Sequence, residues 1–258
     1  MHDTAMKYGG AFFRTYLADG PPVIVADIGS QDVGLGSLRP HCRPIDRYIG
    51  VDFAAGPNVD VILEDPYKLP FDDNSIDVVL SSSCFEHAEF FWESFLEIIR
   101  VLKPTGLFYL NVPSNSAFHR YPVDCWRFYP DSGRALEHWA KQKGYRPAML
   151  ESFTGVQRWD VWNDFIAVFV KDESKASLYL ERMQDRIGAF TNGLVYGSDE
   201  VRNLSIMPED FTMSWLKRYG RRSIWFVRKA STWLYWRFQD LPGRTKRRLS
   251  KTKSGQTA

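Results

Sequence analysis

The chain has 258 residues, 44% of them hydrophobic, which is enough for one large α/β domain or a domain with an appendage. Three cysteines, Cys42, Cys84 and Cys125, without a CxxC pair argue against a disulfide framework or a zinc knuckle and fit a reducing cytoplasm; no secretory leader or spanning helix is expected. The net charge of +2 hides an asymmetry, since 13 of the 33 Lys/Arg but only one of the 31 acids, Asp240, lie from residue 214 onward.

A helix is predicted over residues 2–18, with Phe12, Phe13 and Tyr16 among its apolar positions and a stop at Gly20-Pro21-Pro22. Strands follow at 23–28, 48–52, 60–63, 76–82 and 106–112. A helix over 90–102 carries Phe91, Phe95, Ile98, Ile99 and Leu102 on one face and stops at Lys103-Pro104-Thr105-Gly106. This alternation predicts a parallel, doubly wound sheet. Pro40 and Pro44 leave little room for a helix between the first two strands. Next come a loop (113–130), a helix (131–143), strands at 146–152 and 165–170, a helix (173–190) and an irregular stretch (191–213). The expected division is a catalytic domain over 1–171, a connector over 172–213, a basic aromatic helix over 214–241 and a basic tail over 242–258 expected to be disordered.

Chemistry concentrates at the strand ends. Val23-Ile-Val-Ala-Asp27-Ile-Gly29-Ser30-Gln-Asp-Val-Gly34 is a buried-type strand running into an acid and two glycines, and Asp52 ends the second strand. Glycines admit close backbone approach, and a strand-end carboxylate can accept both hydroxyls of a ribose.

These residues resemble the class I S-adenosylmethionine-dependent methyltransferases over most of residues 20–170. Asp27-Ile28-Gly29 with Gly34 is similar to that family's first motif, Asp52 to its ribose-binding acid, and Asp65 with Leu69-Pro70-Phe71 to its adenine-side loop. Ile76-Asp77-Val78-Val79 with Phe85-Glu86-His87 resembles its fourth strand, and Arg100-Val101-Leu102-Lys103-Pro104-Thr105-Gly106 its "RVLKPGG" turn. The resemblance implies a Rossmann-like fold, S-adenosyl-L-methionine as cofactor, and cofactor contacts from Asp27, Gly29, Ser30, Gly34, Asp52, Asp65, Pro66 and Glu86. The chain departs from the pattern in its glycine loop, in Pro66, which offers no N–H, and in Thr105 in place of a glycine.

The stretch His119-Arg120-Tyr121-Pro122-Val123-Asp124-Cys125-Trp126-Arg127-Phe128-Tyr129-Pro130 resembles a "HRYPxDxWRFYPDG" signature of bacterial type-11-like methyltransferases associated with surface glycans. Its guanidiniums, imidazole, carboxylate and flat rings suit a hydroxylated or anionic substrate, with Arg120, Trp126 and Arg127 as contacts. Alternatively, Asp124 pairs with Arg127 while Trp126 and Phe128 plug the core. A hydroxyl acceptor benefits from a base, for which His119, His87 and Asp124 are the candidates. No cluster shows metal-ligand spacing, so no metal is expected.

Residues 214–241 mix Trp215, Trp225, Trp233 and Trp236 with arginines, as an interfacial helix on an anionic membrane does; packing against protein, or less favourably nucleic acid, are the rivals. The oligomeric state is not legible. The combined expectation is a cytoplasmic enzyme, peripheral on an inner membrane face, that O-methylates a sugar or lipid-linked surface-glycan precursor. The alternatives are a methyltransferase for another small molecule or lipid, such as a quinone, and a non-catalytic protein retaining the fold.

Overall fold

In the computed structural model the chain divides into two units, residues 1–210 and 211–258. The residues described are 3–34, 36–157 and 162–207. The expectations for 214–241 and 242–258 therefore lie outside the described residues.

Helix α1 (Asp3–Tyr16) carries Asp3 in its first turn and Arg14 in its last, each sign opposing the local helix dipole. The strands are β1 (Ile24–Ile28), β2 (Arg47–Asp52), β3 (Val61–Ile62), β4 (Ile76–Ser82), β5 (Leu102–Pro113), β6 (Ala148–Gly155), β7 (Asp164–Val170) and β8 (Phe190–Val195). They form one eight-stranded sheet in the order β3-β2-β1-β4-β5-β7-β6-β8. Helices α2 (Phe91–Val101) and α3 (Ser132–Gln142) complete the set.

Strands β1 to β5 pair in parallel, as the alternation predicts, but β7 is antiparallel to both β5 and β6, and β8 is antiparallel to β6. The sheet is therefore mixed rather than wholly parallel. Only residues 156–163 separate β6 from β7, too short a connection for the crossover that parallel pairing requires.

The connector also differs from expectation. The helix predicted over 173–190 is instead two 3₁₀ turns, Glu173–Leu178 and Met183–Asp185, and the irregular stretch contains β8. Buried Glu151 of β6 holds the second turn, accepting from the backbone N–H groups of Met183 (2.7 Å) and Gln184 (3.1 Å) and from the Tyr16 hydroxyl (2.7 Å). Strand β8 escapes a sequence reading because Asn192-Gly193 is a turn signal inside it, and Asn192 has a φ of 53°.

Between β1 and β2 only a 3₁₀ turn, Arg39–His41, replaces the usual crossover helix, in line with the two prolines. Helix α1 covers that face of the sheet. Tyr8, Phe12, Phe13 and Leu17 pack with Leu38, Val78, Leu80 and Tyr109, and Gly9 admits the Leu38 side chain where a Cβ would stand 2.3 Å from it. The other face is a second core under α2 and α3, with Phe95, Ile98, Phe108 and Phe169. The chain leaves β1 towards β2 on one side and returns to β4 on the other, so a crevice opens beyond the carboxyl ends of β1 and β4, where open α/β sheets take ligands.

Candidate active site

A cavity of about 620 Å³ occupies that crevice, within the usual size range for a small-molecule site. The turn after β1 makes its floor. Gly29 has a φ of 78°, and a Cβ there would stand 2.7 Å from the Cys84 sulfur, so a side chain is excluded on both counts. The Gly29 and Ser30 N–H groups donate to Val51 O, tying the turn to β2. Asp52 is buried; its Oδ2 accepts from Gln31 N (3.0 Å) and its Oδ1 from Ala54 N (3.2 Å). Each oxygen keeps a lone pair for a ligand.

Asp27 also lines the cavity, but its carboxylate accepts the Tyr48 hydroxyl. Burial pushes its pKa up to about 7, against the lowering effect of that hydrogen bond and with a smaller push from the Asp52 charge. Gly34 is exposed and lies outside the lining, where its N–H meets Asp32 Oδ1 at 2.8 Å; Gly36 takes the place on the cavity wall. Asp65 is likewise outside the lining, with its Oδ1 accepting from Tyr67 N, whereas Pro66 lines the cavity. Beside Pro66 stand Phe53, Leu63 and Tyr67, an apolar slot at the Asp52 end. The sequence reading passed over Phe53; its signal is an aromatic immediately after the strand-end acid. From the end of β4 and the residue after it come Ser82 and Ser83, whose buried hydroxyls have no partner among the described residues.

The loop between β5 and α3 supplies a further part of the cavity wall. Asp124 is buried at the centre of this loop, with 2% of its side chain exposed, and takes two hydrogen bonds from Arg127 (2.5 and 2.9 Å) and one from His119 N (2.7 Å). Burial alone would raise its pKa, but these donors hold it at about 2. The pairing alternative for Asp124 and Arg127 is thus the one observed, and a carboxylate so held is a poor proton acceptor. Trp126 donates to Ala88 O (3.0 Å) and packs edge-on against Phe91, while Phe128 is buried. Neither Trp126 nor Arg127 lines the cavity; His119, Arg120 and Tyr121 do. The Tyr121 hydroxyl donates to Gln31 Oε1 (2.8 Å), joining this loop to the glycine turn.

His87 and His119 meet edge to face with ring centroids 4.9 Å apart, and Trp162 lies 4.9 Å from His119. His87 Nδ1 donates to Val123 O, which leaves Nε2 as its lone-pair nitrogen. That nitrogen lies 3.7 Å from Glu86 Oε1. Burial lowers the His87 pKa and pushes Glu86 up to about 8. Glu86 is 1% exposed, and its Oε2 has no partner among the described residues.

Residues 31–110 match the family described as methyltransferase domain. An uncharacterized methyltransferase of Mycobacterium tuberculosis is 31% identical over 121 residues, covering 42% of this chain and 46% of the relative. The phthiotriol/phenolphthiotriol dimycocerosates methyltransferase of the same organism is 36% identical over 120 residues, covering 45% and 38%. The match thus spans less than half the length of these curated relatives. Among solved structures, the 1,6-didemethyltoxoflavin-N1-methyltransferase of Burkholderia thailandensis shares 18% identity over 66% of this chain and 79% of that one, with a TM-score of 0.49. With the glycine turn, the strand-end acid and the strand order already in place, the chain carries a methyltransferase domain of the class I, S-adenosylmethionine-dependent type.

Proposed function

We propose that this protein transfers a methyl group from S-adenosylmethionine to a hydroxyl of a small polyhydroxylated acceptor, a sugar or surface-glycan precursor. The observation that carries the reading is one cavity lined both by Gly29, Asp52 and Phe53 and by His87, His119 and Arg120.

The residues fit the cofactor. Asp52 retains acceptor capacity for a ribose diol, Phe53 and Pro66 line the cavity as apolar groups suited to adenine, and the Ser82 and Ser83 hydroxyls, without partners among the described residues, are free to meet the polar methionine part. When bound, the cofactor supplies an electrophilic methyl on a sulfonium. The chain's own part is to align the acceptor, which for well-held reactants contributes on the order of 7–11 kcal/mol, and to take up or weaken the hold on the hydroxyl proton. The imidazoles of His87 and His119 are the cavity-lining groups suited to proton handling, because their ordinary range lies near neutrality. Arg120 holds acceptor hydroxyl or phosphate oxygens as a hydrogen-bond fork.

An acceptor carried on a lipid is the second reading. It is supported by the lipid methyltransferase among the relatives and by Phe118, 75% exposed beside His119. It would give the basic, aromatic residues 214–241 a role at an anionic membrane surface; among the described residues no helix is long and apolar enough to cross a membrane.

Calorimetric titration with S-adenosylhomocysteine tests the cofactor half. Asp52→Ala should weaken binding at least about tenfold, the worth of one hydrogen bond to a charged group, in a protein that melts as a folded domain. Unchanged affinity would remove Asp52 from the site. Assay of sugar and lipid-linked acceptors with labelled S-adenosylmethionine then separates the two acceptor readings.

A further inference from the structure

Glu86, His87 and His119 each offer one ligand atom, and these atoms lie within 4.8 Å of one another. The sequence gives no hint of this, because helix α2, strand β5 and the first residues of the 113–130 loop separate His119 from the other two. The fold closes the gap by laying the 113–130 loop over the end of β4, with Cys125 N and Trp126 N both donating to Glu86 O.

Three features distinguish this cluster from histidines that meet by chance. Glu86 Oε2 is buried and without a partner among the described residues, and a buried carboxylate oxygen left unmatched is costly. Both imidazoles are supported from behind: His87 Nδ1 donates to Val123 O, and His119 Nδ1 lies 3.4 Å from Asp124 Oδ2 and 3.3 Å from Ala117 O. This is the arrangement that orients metal-binding histidines, with the other ring nitrogen kept as ligand. Asp124 is in turn clamped by Arg127, so that guanidinium is neutralised beside the cluster. Finally, all three residues line the acceptor end of the cavity, which leaves coordination positions open towards a substrate.

We propose that Glu86, His87 and His119 form a binding site for one divalent first-row transition cation at the acceptor end of the cavity. Two imidazoles and one carboxylate suit zinc, cobalt, iron or manganese rather than magnesium or calcium, which take mostly oxygen ligands. Three protein ligands with open positions are the pattern of a catalytic rather than a structural site. The role of the cation rests on the O-methyltransfer reading above: with the acceptor hydroxyl in an open position, its pKa falls. The O–H bond then breaks with the proton passing to water, since His87 and His119, once ligated, orient the cation in place of taking up the proton themselves. An oxygen lone pair forms the new O–CH₃ bond, and the electron pair of the broken S–CH₃ bond stays on sulfur.

The test is to strip the full-length protein with chelator and titrate it with Zn²⁺, and separately with Co²⁺ while recording its visible absorption. One equivalent should bind, with d–d bands showing nitrogen and oxygen ligation. His119→Ala and Glu86→Gln should abolish the bands, and Asp124→Asn should weaken binding about 10- to 100-fold. Absence of binding to folded wild-type protein overturns the proposal, as does binding undiminished in both His119→Ala and Glu86→Gln. S-adenosylhomocysteine titration of the same samples keeps the two readings apart: S-adenosylhomocysteine binding without cation binding removes the metal site alone, whereas cation binding without S-adenosylhomocysteine binding leaves the metal site and removes the methyltransfer role.

Discussion

Glu86 shows how far a single position can depart from its ordinary chemistry. Adjacent His87 is partly accessible, yet the Glu86 carboxyl faces inward at the end of β4, and burial raises its pKa to about 8. A raised folded-state value means that the protonated form fits the fold; this stability is complete below the ordinary glutamate pKa and is lost as pH rises through about 8. At roughly 1.4 kcal/mol per pKa unit, the effect amounts to a few kcal/mol. In chelator-treated protein, Glu86→Gln should therefore melt increasingly above wild type as pH is raised from the ordinary glutamate range to about 8. A difference that stays constant with pH would show that Glu86 ionises freely in the fold. Gly29 and Asp52 could be picked out from their order along the chain. The raised Glu86 could not, since burial is set by what the distant 113–130 loop lays over it.

At the scale of elements, the 113–130 loop is organised around the buried Asp124 carboxylate and its pairing with Arg127. Asp124 gathers Arg127 and His119 N around itself, so the residues read from sequence as substrate contacts divide: Arg120 reaches the cavity, while Arg127 and Trp126 brace the loop. Arg127→Ala leaves Asp124 buried without its main partner and should destabilise the protein by about 2–3 kcal/mol, somewhat less than for a fully buried pair because Arg127 is partly exposed. Chemical denaturation measures this, and a loss under about 0.5 kcal/mol would show that the pair is dispensable. The residue types of this loop were legible as binding chemistry. Which of them face inward was not, because the 113–130 stretch has no helical or strand period from which to assign a face. The same limit applies to β8, where Asn192-Gly193 imitates a turn, and to the connector, where side-chain bonds to Glu151 replace helical ones.

Across the whole molecule, the N-terminal helix does what a crossover helix between β1 and β2 would otherwise do. Phe12 is fully buried, with its ring 4.9 Å from that of Tyr109 on β5. Phe12→Ala should lower stability by about 3–5 kcal/mol in denaturant titration; a change under about 1 kcal/mol would mean that α1 is not part of the core. The apolar positions Phe12, Phe13 and Tyr16 and the stop at Gly20-Pro21-Pro22 announced the helix, and Pro40 and Pro44 announced the missing crossover. That one compensates for the other is visible only once α1 lies on the sheet.

The local signals on this chain determined the strand-and-helix alternation, the glycine turn, the strand-end acid and so the class of domain, because period, turn chemistry and chain order are properties of neighbouring residues. The tertiary structure decided the antiparallel edge, the faces presented by the 113–130 loop and the meeting of Glu86, His87 and His119. Each of these depends on contacts between residues far apart in sequence, which no local pattern encodes.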